Sequence, residues 1–79
     1  METFIIQKGE YIELQDLLKA TGLCQSGGTA KNAIVNGLVS VDGMMEKMRR
    51  SKVYKGQTVE YLGRKIRLQE NSQPLDEGQ

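Results

Sequence analysis

An α+β fold is predicted for this chain: a two-helix hairpin packed on a small, mostly antiparallel sheet. Three observations predict it. Leu14, Leu17 and Leu18 fall at the i, i+3, i+4 spacing of a one-sided helix. Ala30, Ala33 and Ile34 repeat that spacing after a short link. Beyond position 37 the apolar period changes to two, and Asp42-Gly43 and Gly63-Arg64 punctuate the strand-like runs as turns. At 79 residues the chain supports one domain with a thin core, because a chain so short removes only about 60% of its unfolded surface from water.

Taken in order, Thr3-Phe4-Ile5-Ile6-Gln7 is β-branched and aromatic and ends at Lys8-Gly9, so it reads as a short strand closed by a turn. The first helix covers residues 13–21. Glu13 and Asp16 suit the positive end of its dipole, and Gly22 is its stop. Ser26 is a good N-cap for the second helix, which ends at Asn36-Gly37. Small Ala30 and Ala33 let that helix lie close against the leucines of the first. Residues 38–41 alternate as a strand, turn at Asp42-Gly43, and return through Met44-Met45-Glu46. Residues 58–62 and 65–68 make a second strand pair, and residues 47–57 read as a basic connection between the pairs. The domain therefore covers residues 1–70. Residues 71–79, polar and acidic with no apolar period, read as a disordered tail.

The inventory argues against catalysis. There is no His to act as a general base or metal ligand. Cys24 is the single Cys, which excludes an internal disulfide and a Cys-based zinc cage. It reads as a small half-buried residue between the helices rather than a nucleophile. No enzyme activity, metal or cofactor is expected. No apolar stretch reaches membrane-spanning length, and Met1-Glu2-Thr3-Phe4 lacks the basic start of a signal peptide. A cytoplasmic monomer without membrane contact is the expectation.

A formal net charge of +1 hides a strong segregation of sign. From 47 to 67 the chain carries Lys47, Arg49, Arg50, Lys52, Lys55, Arg64, Lys65 and Arg67 against Glu60 alone. Five of these bases lie within residues 47–55 with no acid among them, and their mutual repulsion calls for an anionic partner. Arg49 and Arg50 can fork onto phosphate oxygens, while Lys47, Lys52 and Lys55 act as point charges. A second candidate is the start of the second helix, Ser26-Gly27-Gly28-Thr29-Ala30-Lys31, where free N–H groups and the positive dipole end suit a phosphate. Two glycines there do not favour a helix. Either a phosphate or the first helix approaches the backbone closely, and the residues alone leave both explanations open. Among the aromatics, Tyr54 could stack on a base, but a core anchor is the favoured reading for Tyr54, as for Phe4 and Tyr61. Core filling is likewise favoured for Met44, Met45 and Met48.

Residues 14–22, the segment Ser26 to Lys31, Gly37-Leu38-Val39-Ser40-Val41-Asp42-Gly43 and Gly56-Gln57-Thr58-Val59 together form one pattern. It resembles the RNA-binding domain of bacterial ribosomal small-subunit protein four, the alpha-L RNA-binding motif, and in particular the stand-alone bacterial proteins made of little else. The resemblance covers residues 12–62 and implies that hairpin and strands share one surface for structured RNA, ribosomal or transfer-RNA-like. Ribosomal particles are a further candidate partner. It places Lys19 at the family's basic end of the first helix, Ser26, Gly27 and Lys31 at the start of the second, and Arg49, Arg50, Lys52 and Lys55 in the family's basic stretch. Thr29 stands where the family often has Glu or Gln, a change that removes a capping-box partner.

Two rivals remain. A helix-turn-helix DNA reader would expose only Lys31, Asn32 and Asn36 on its second helix for base edges, while most of the charge lies elsewhere. A protein-interaction adaptor would use the methionines as an adaptable apolar patch.

Overall fold

The leucine spacing is realised as α1 (Leu14–Ala20), whose Leu14, Leu17 and Leu18 are fully buried. Burial of each such side chain favours folding by roughly 1.5–3 kcal/mol. α2 (Gly27–Val35) follows, directing Ala30, Ala33 and Ile34 into the same core. The helix stops at Asn36 because Gly37, at φ +76°, turns the backbone back. Gly37 N–H then donates to the Ile34 carbonyl and Leu38 N–H to the Ala33 carbonyl, both at 3.0 Å, which closes the end of the helix.

This computed structural model describes residues 1–71. Around the hairpin run β1 (Glu2–Ile6), β2 (Ile12–Glu13), β3 (Val39–Val41), β4 (Met44–Met45), β5 (Lys52–Val53), β6 (Thr58–Tyr61) and β7 (Arg64–Glu70). Five of the strands form one sheet in the order β1-β7-β6-β3-β4, and β2 and β5 form a separate two-stranded ribbon. All pairings are antiparallel except β1 with β7, in which Phe4 lies opposite Leu68. Val39, Val59, Tyr61, Ile66 and Leu68 come from one face of the sheet and complete the core over the helices. The predicted α+β architecture is the one observed.

Several local expectations need correction. The second hairpin turns at Leu62-Gly63, not at Gly63-Arg64: both residues have positive φ, 53° and 78°, as a two-residue turn between twisted strands requires. Arg64 is therefore a strand residue opposite Tyr61. The basic connection is partly ordered, since Lys52 and Val53 pair with Glu13 and Ile12. Cys24 is fully buried rather than half-buried. Met44, Met45 and Met48 do not fill the core; they are 61–74% exposed, on and beside the short edge strand β4, which pairs only with β3. Asn71 N–H donates to the Ile6 carbonyl, extending the β1 edge by one bond. The rest of the expected tail, 72–79, lies outside the described residues.

Candidate nucleic-acid interface

Ser26 has the extended backbone of an N-cap, and its Oγ accepts the Thr29 N–H at 3.1 Å. The Thr29 hydroxyl lies 3.1 Å from the same oxygen. The N–H groups of Gly27 and Gly28, at the start of the helix, have no acceptor within it. A Cβ on Gly27 would stand 3.8 Å from Lys19 Nζ and 3.9 Å from its Cδ, and one on Gly28 would stand 3.9 Å from Ser26 Oγ. These are ordinary contacts, so the approach of α2 to α1 requires neither glycine. Helix packing thus does not explain either glycine, and a side chain at Gly27 would rest on that of Lys19. Lys19 also meets the Asp16 carboxylate at 3.6 Å, with both side chains about half exposed.

At its other end α2 meets the basic segment. Leu14 N–H donates to the Ser51 carbonyl at 2.8 Å and Gln15 N–H to the Arg49 carbonyl at 2.9 Å, so the segment caps the first turn of α1. Val35, Lys47, Met48, Arg49 and Arg50 line a shallow cleft of about 320 Å³. Lys47 and Met45 lie against Gly37, at the negative end of the α2 dipole. Gly27, Lys31 and Val35 follow one another at i, i+4 spacing and share a face of α2 about 12 Å long. Lys31, Asn32 and Val35 are exposed. Lys19, Ser26 and Gly27 therefore gather at one end of this face, Lys31 lies at its middle, and Arg49 and Arg50 stand at the other end.

Of the remaining bases, Lys52 neighbours Arg50 across Glu13, and Lys55 lies on another side of the fold. Lys52 lies on β5, its Nζ 4.9 Å from the centre of the Tyr11 ring. Lys55 meets the Glu70 carboxylate at 3.5 Å on the β7 side of the sheet. Glu70 also accepts the Gly9 N–H at 2.9 Å; this bond first, then Lys55, holds its carboxyl below the ordinary range. Arg50 meets Glu13 at 3.4 Å. The expected repulsion within residues 47–55 is thus relieved in part by carboxylates from distant segments. Tyr54 is not a core anchor: it is exposed, and its ring centre lies 5.7 Å from that of Tyr11. Sequence reasoning passed over Tyr11 and Val35; the exposed end of an i, i+4 series starting at Gly27 could have pointed to Val35.

Burial pushes the Cys24 thiol up, outweighing the hydrogen bond with Tyr61 that acts against it. No cluster of three or more metal-ligating side chains occurs among the described residues. No helix among them is long and apolar enough to cross a membrane.

Comparison with known proteins gives the family and the fold. Residues 4–69 match the model of the S4 domain. YbcJ of Escherichia coli (strain K12) is 44% identical over 68 residues, covering 86% of this chain and 97% of that protein, and the Shigella flexneri YbcJ gives the same values. The solution structure of E. coli YbcJ superposes with a TM-score of 0.68 at 43% identity, covering 87% of each chain. It is described as revealing an alfaL motif involved in RNA-binding.

Proposed function

This chain belongs to the S4 domain family, and from that membership we propose that it is a non-catalytic RNA-binding module. Its partner in this reading is structured RNA, ribosomal or ribosome-associated, and it acts in the cytoplasm. The observation that carries the reading is the α2 face, bounded by Lys19, Ser26 and Gly27 at one end and by Arg49 and Arg50 at the other, with exposed Lys31 between them. Free backbone N–H groups and a helix dipole favour a phosphate at the first end. Guanidinium groups that fork onto phosphate oxygens favour another at the second. The RNA-binding role described for the YbcJ motif supports the same assignment.

Phosphate contacts position a protein without reading bases, so discrimination falls to RNA shape, which a rigid hairpin on a sheet can match. If about four bases neutralise phosphates, log affinity falls against log salt with a slope of order −3 to −4. The test is a salt titration of the full chain against a folded ribosomal RNA fragment and a DNA duplex of similar length. Tighter binding to the RNA with that slope supports the reading. Equal affinity for both, or affinity indifferent to salt, removes it. The exposed Met44, Met45 and Met48 favour a protein adaptor as the second reading, and it would then move to the front.

A further inference from the structure

Of the four aromatic side chains, Tyr61 belongs to the core and Phe4 packs half-buried against it, whereas Tyr11 and Tyr54 are 45% and 46% exposed and touch each other. The β2–β5 ribbon brings them together. Its register sets Ile12 opposite Val53 and Glu13 opposite Lys52, so the next position sets Tyr11 opposite Tyr54. Val53 is fully buried and Ile12 packs on the core. Strand alternation therefore turns Tyr11, Glu13, Lys52 and Tyr54 to the outer face.

That face combines an open aromatic surface with surplus positive charge. Lys52 Nζ stands 4.9 Å from the Tyr11 ring centre. Glu13 is the carboxylate of this face, and Arg50 already engages it at 3.4 Å. Large rings left half open beside cations match the chemistry of an unstacked nucleotide, whose base offers a π face and whose two phosphates carry the charge. A continuous duplex hides its base faces, so the ligand must be unpaired.

We propose that the Tyr11–Tyr54 pair on the outer face of the β2–β5 ribbon is a stacking site for one unpaired RNA base, with Lys52 and Arg50 meeting the flanking phosphates. The site rests on the RNA-binding reading and adds to it: the α2 face grips backbone, and the ribbon takes a base that has left the stack. An exposed peptide side chain is the rival occupant, and the test separates the two.

Three labelled RNA hairpins serve as probes: an uninterrupted stem, the same stem with one bulged adenosine, and the same stem with an abasic bulge. The wild-type chain is expected to bind the adenosine bulge about tenfold more tightly than the uninterrupted stem, and the abasic bulge no better than that stem. Tyr54→Phe keeps the gain, because the ring is retained. Tyr11→Leu and Tyr54→Leu lose it, with thermal melts confirming that both variants fold. Equal affinity of the wild-type chain for all three RNAs overturns the site and is what a peptide-docking face would give. So does a full gain retained by Tyr54→Leu, or a gain that survives removal of the base. Absence of binding to any hairpin is a different failure, because it removes the RNA-binding reading and this site falls with it.

Discussion

At its N-terminal end α2 presents backbone: the N–H groups of Gly27 and Gly28 behind the Ser26 cap, with Lys19 beside them and Lys31 one turn further on as sparse charge. At its C-terminal end the carbonyls are already taken by Gly37 and Leu38, and the surroundings are side chains, Lys47, Met48, Arg49 and Arg50, on a segment clamped to the first turn of α1. The first end is limited by space, because its donors act only if a ligand can reach them. The second is limited by charge, because long exposed side chains adapt to whatever approaches. The two ends should therefore fail in different ways.

The largest effect is expected from Arg49→Ala with Arg50→Ala. Loss of two phosphate contacts should flatten the salt slope by about two and weaken binding to many RNAs alike. Lys19→Ala with Lys31→Ala should do less, since backbone donors remain. Neither pair should move stability by more than about 0.5 kcal/mol, as exposed side chains seldom do. Fluorescence anisotropy across a salt series measures both, and a larger loss from the lysine pair would reverse the comparison.

Glycine substitution at the two ends should separate stability from binding. Gly37→Ala meets a left-handed backbone and a Met45 Sδ only 2.9 Å from the added carbon. It should destabilise the domain by about 1–2 kcal/mol, or on the order of 5–10 °C in a chain this short. Gly27→Ala meets only the Lys19 side chain. Its melting temperature should hold or rise while RNA affinity falls. Unfolding of the Gly27 variant would restore the packing explanation for that residue.

A smaller effect is expected far from both ends. Leu62 is 75% exposed at φ 53°, a conformation that Asn adopts more readily. Leu62→Asn should stabilise the domain by about 0.5–1 kcal/mol, with RNA affinity unchanged. Thermal denaturation and the same anisotropy assay read the two quantities.

These contrasts also explain which features could be read from the chain. The helices were legible because Leu14, Leu17, Leu18, Ala30, Ala33 and Ile34 carry the period, and Ser26 and Gly37 carry the caps. The Asp42-Gly43 turn was legible for the same local reason, with Asp42 Oδ1 accepting the Thr58 N–H at 2.9 Å. The Leu62-Gly63 turn was not, because Leu seldom takes a positive φ and its position here is set by the register of β6 against β7. The parallel β1–β7 pair joins segments far apart in sequence, and the two-residue strands of the ribbon are too short to show a period. The candidate site was legible as composition but not as arrangement. Glu13 and Glu70 reach Arg50 and Lys55 only through the fold, and Tyr11 meets Tyr54 only through the ribbon. Methionine gave the weakest signal, since its flexible side chain suits core and surface alike.

The central claim is that RNA lies along the α2 face from Ser26 to Arg50. Backbone amide shifts of the isotope-labelled chain, followed during titration with a folded ribosomal RNA fragment, test it most directly. The account predicts that perturbed amides concentrate in residues 26–31 and 47–52, while those of β1 and the centre of β7 stay in place. Perturbations confined to β1 and β7, with both ends of α2 silent, would contradict it.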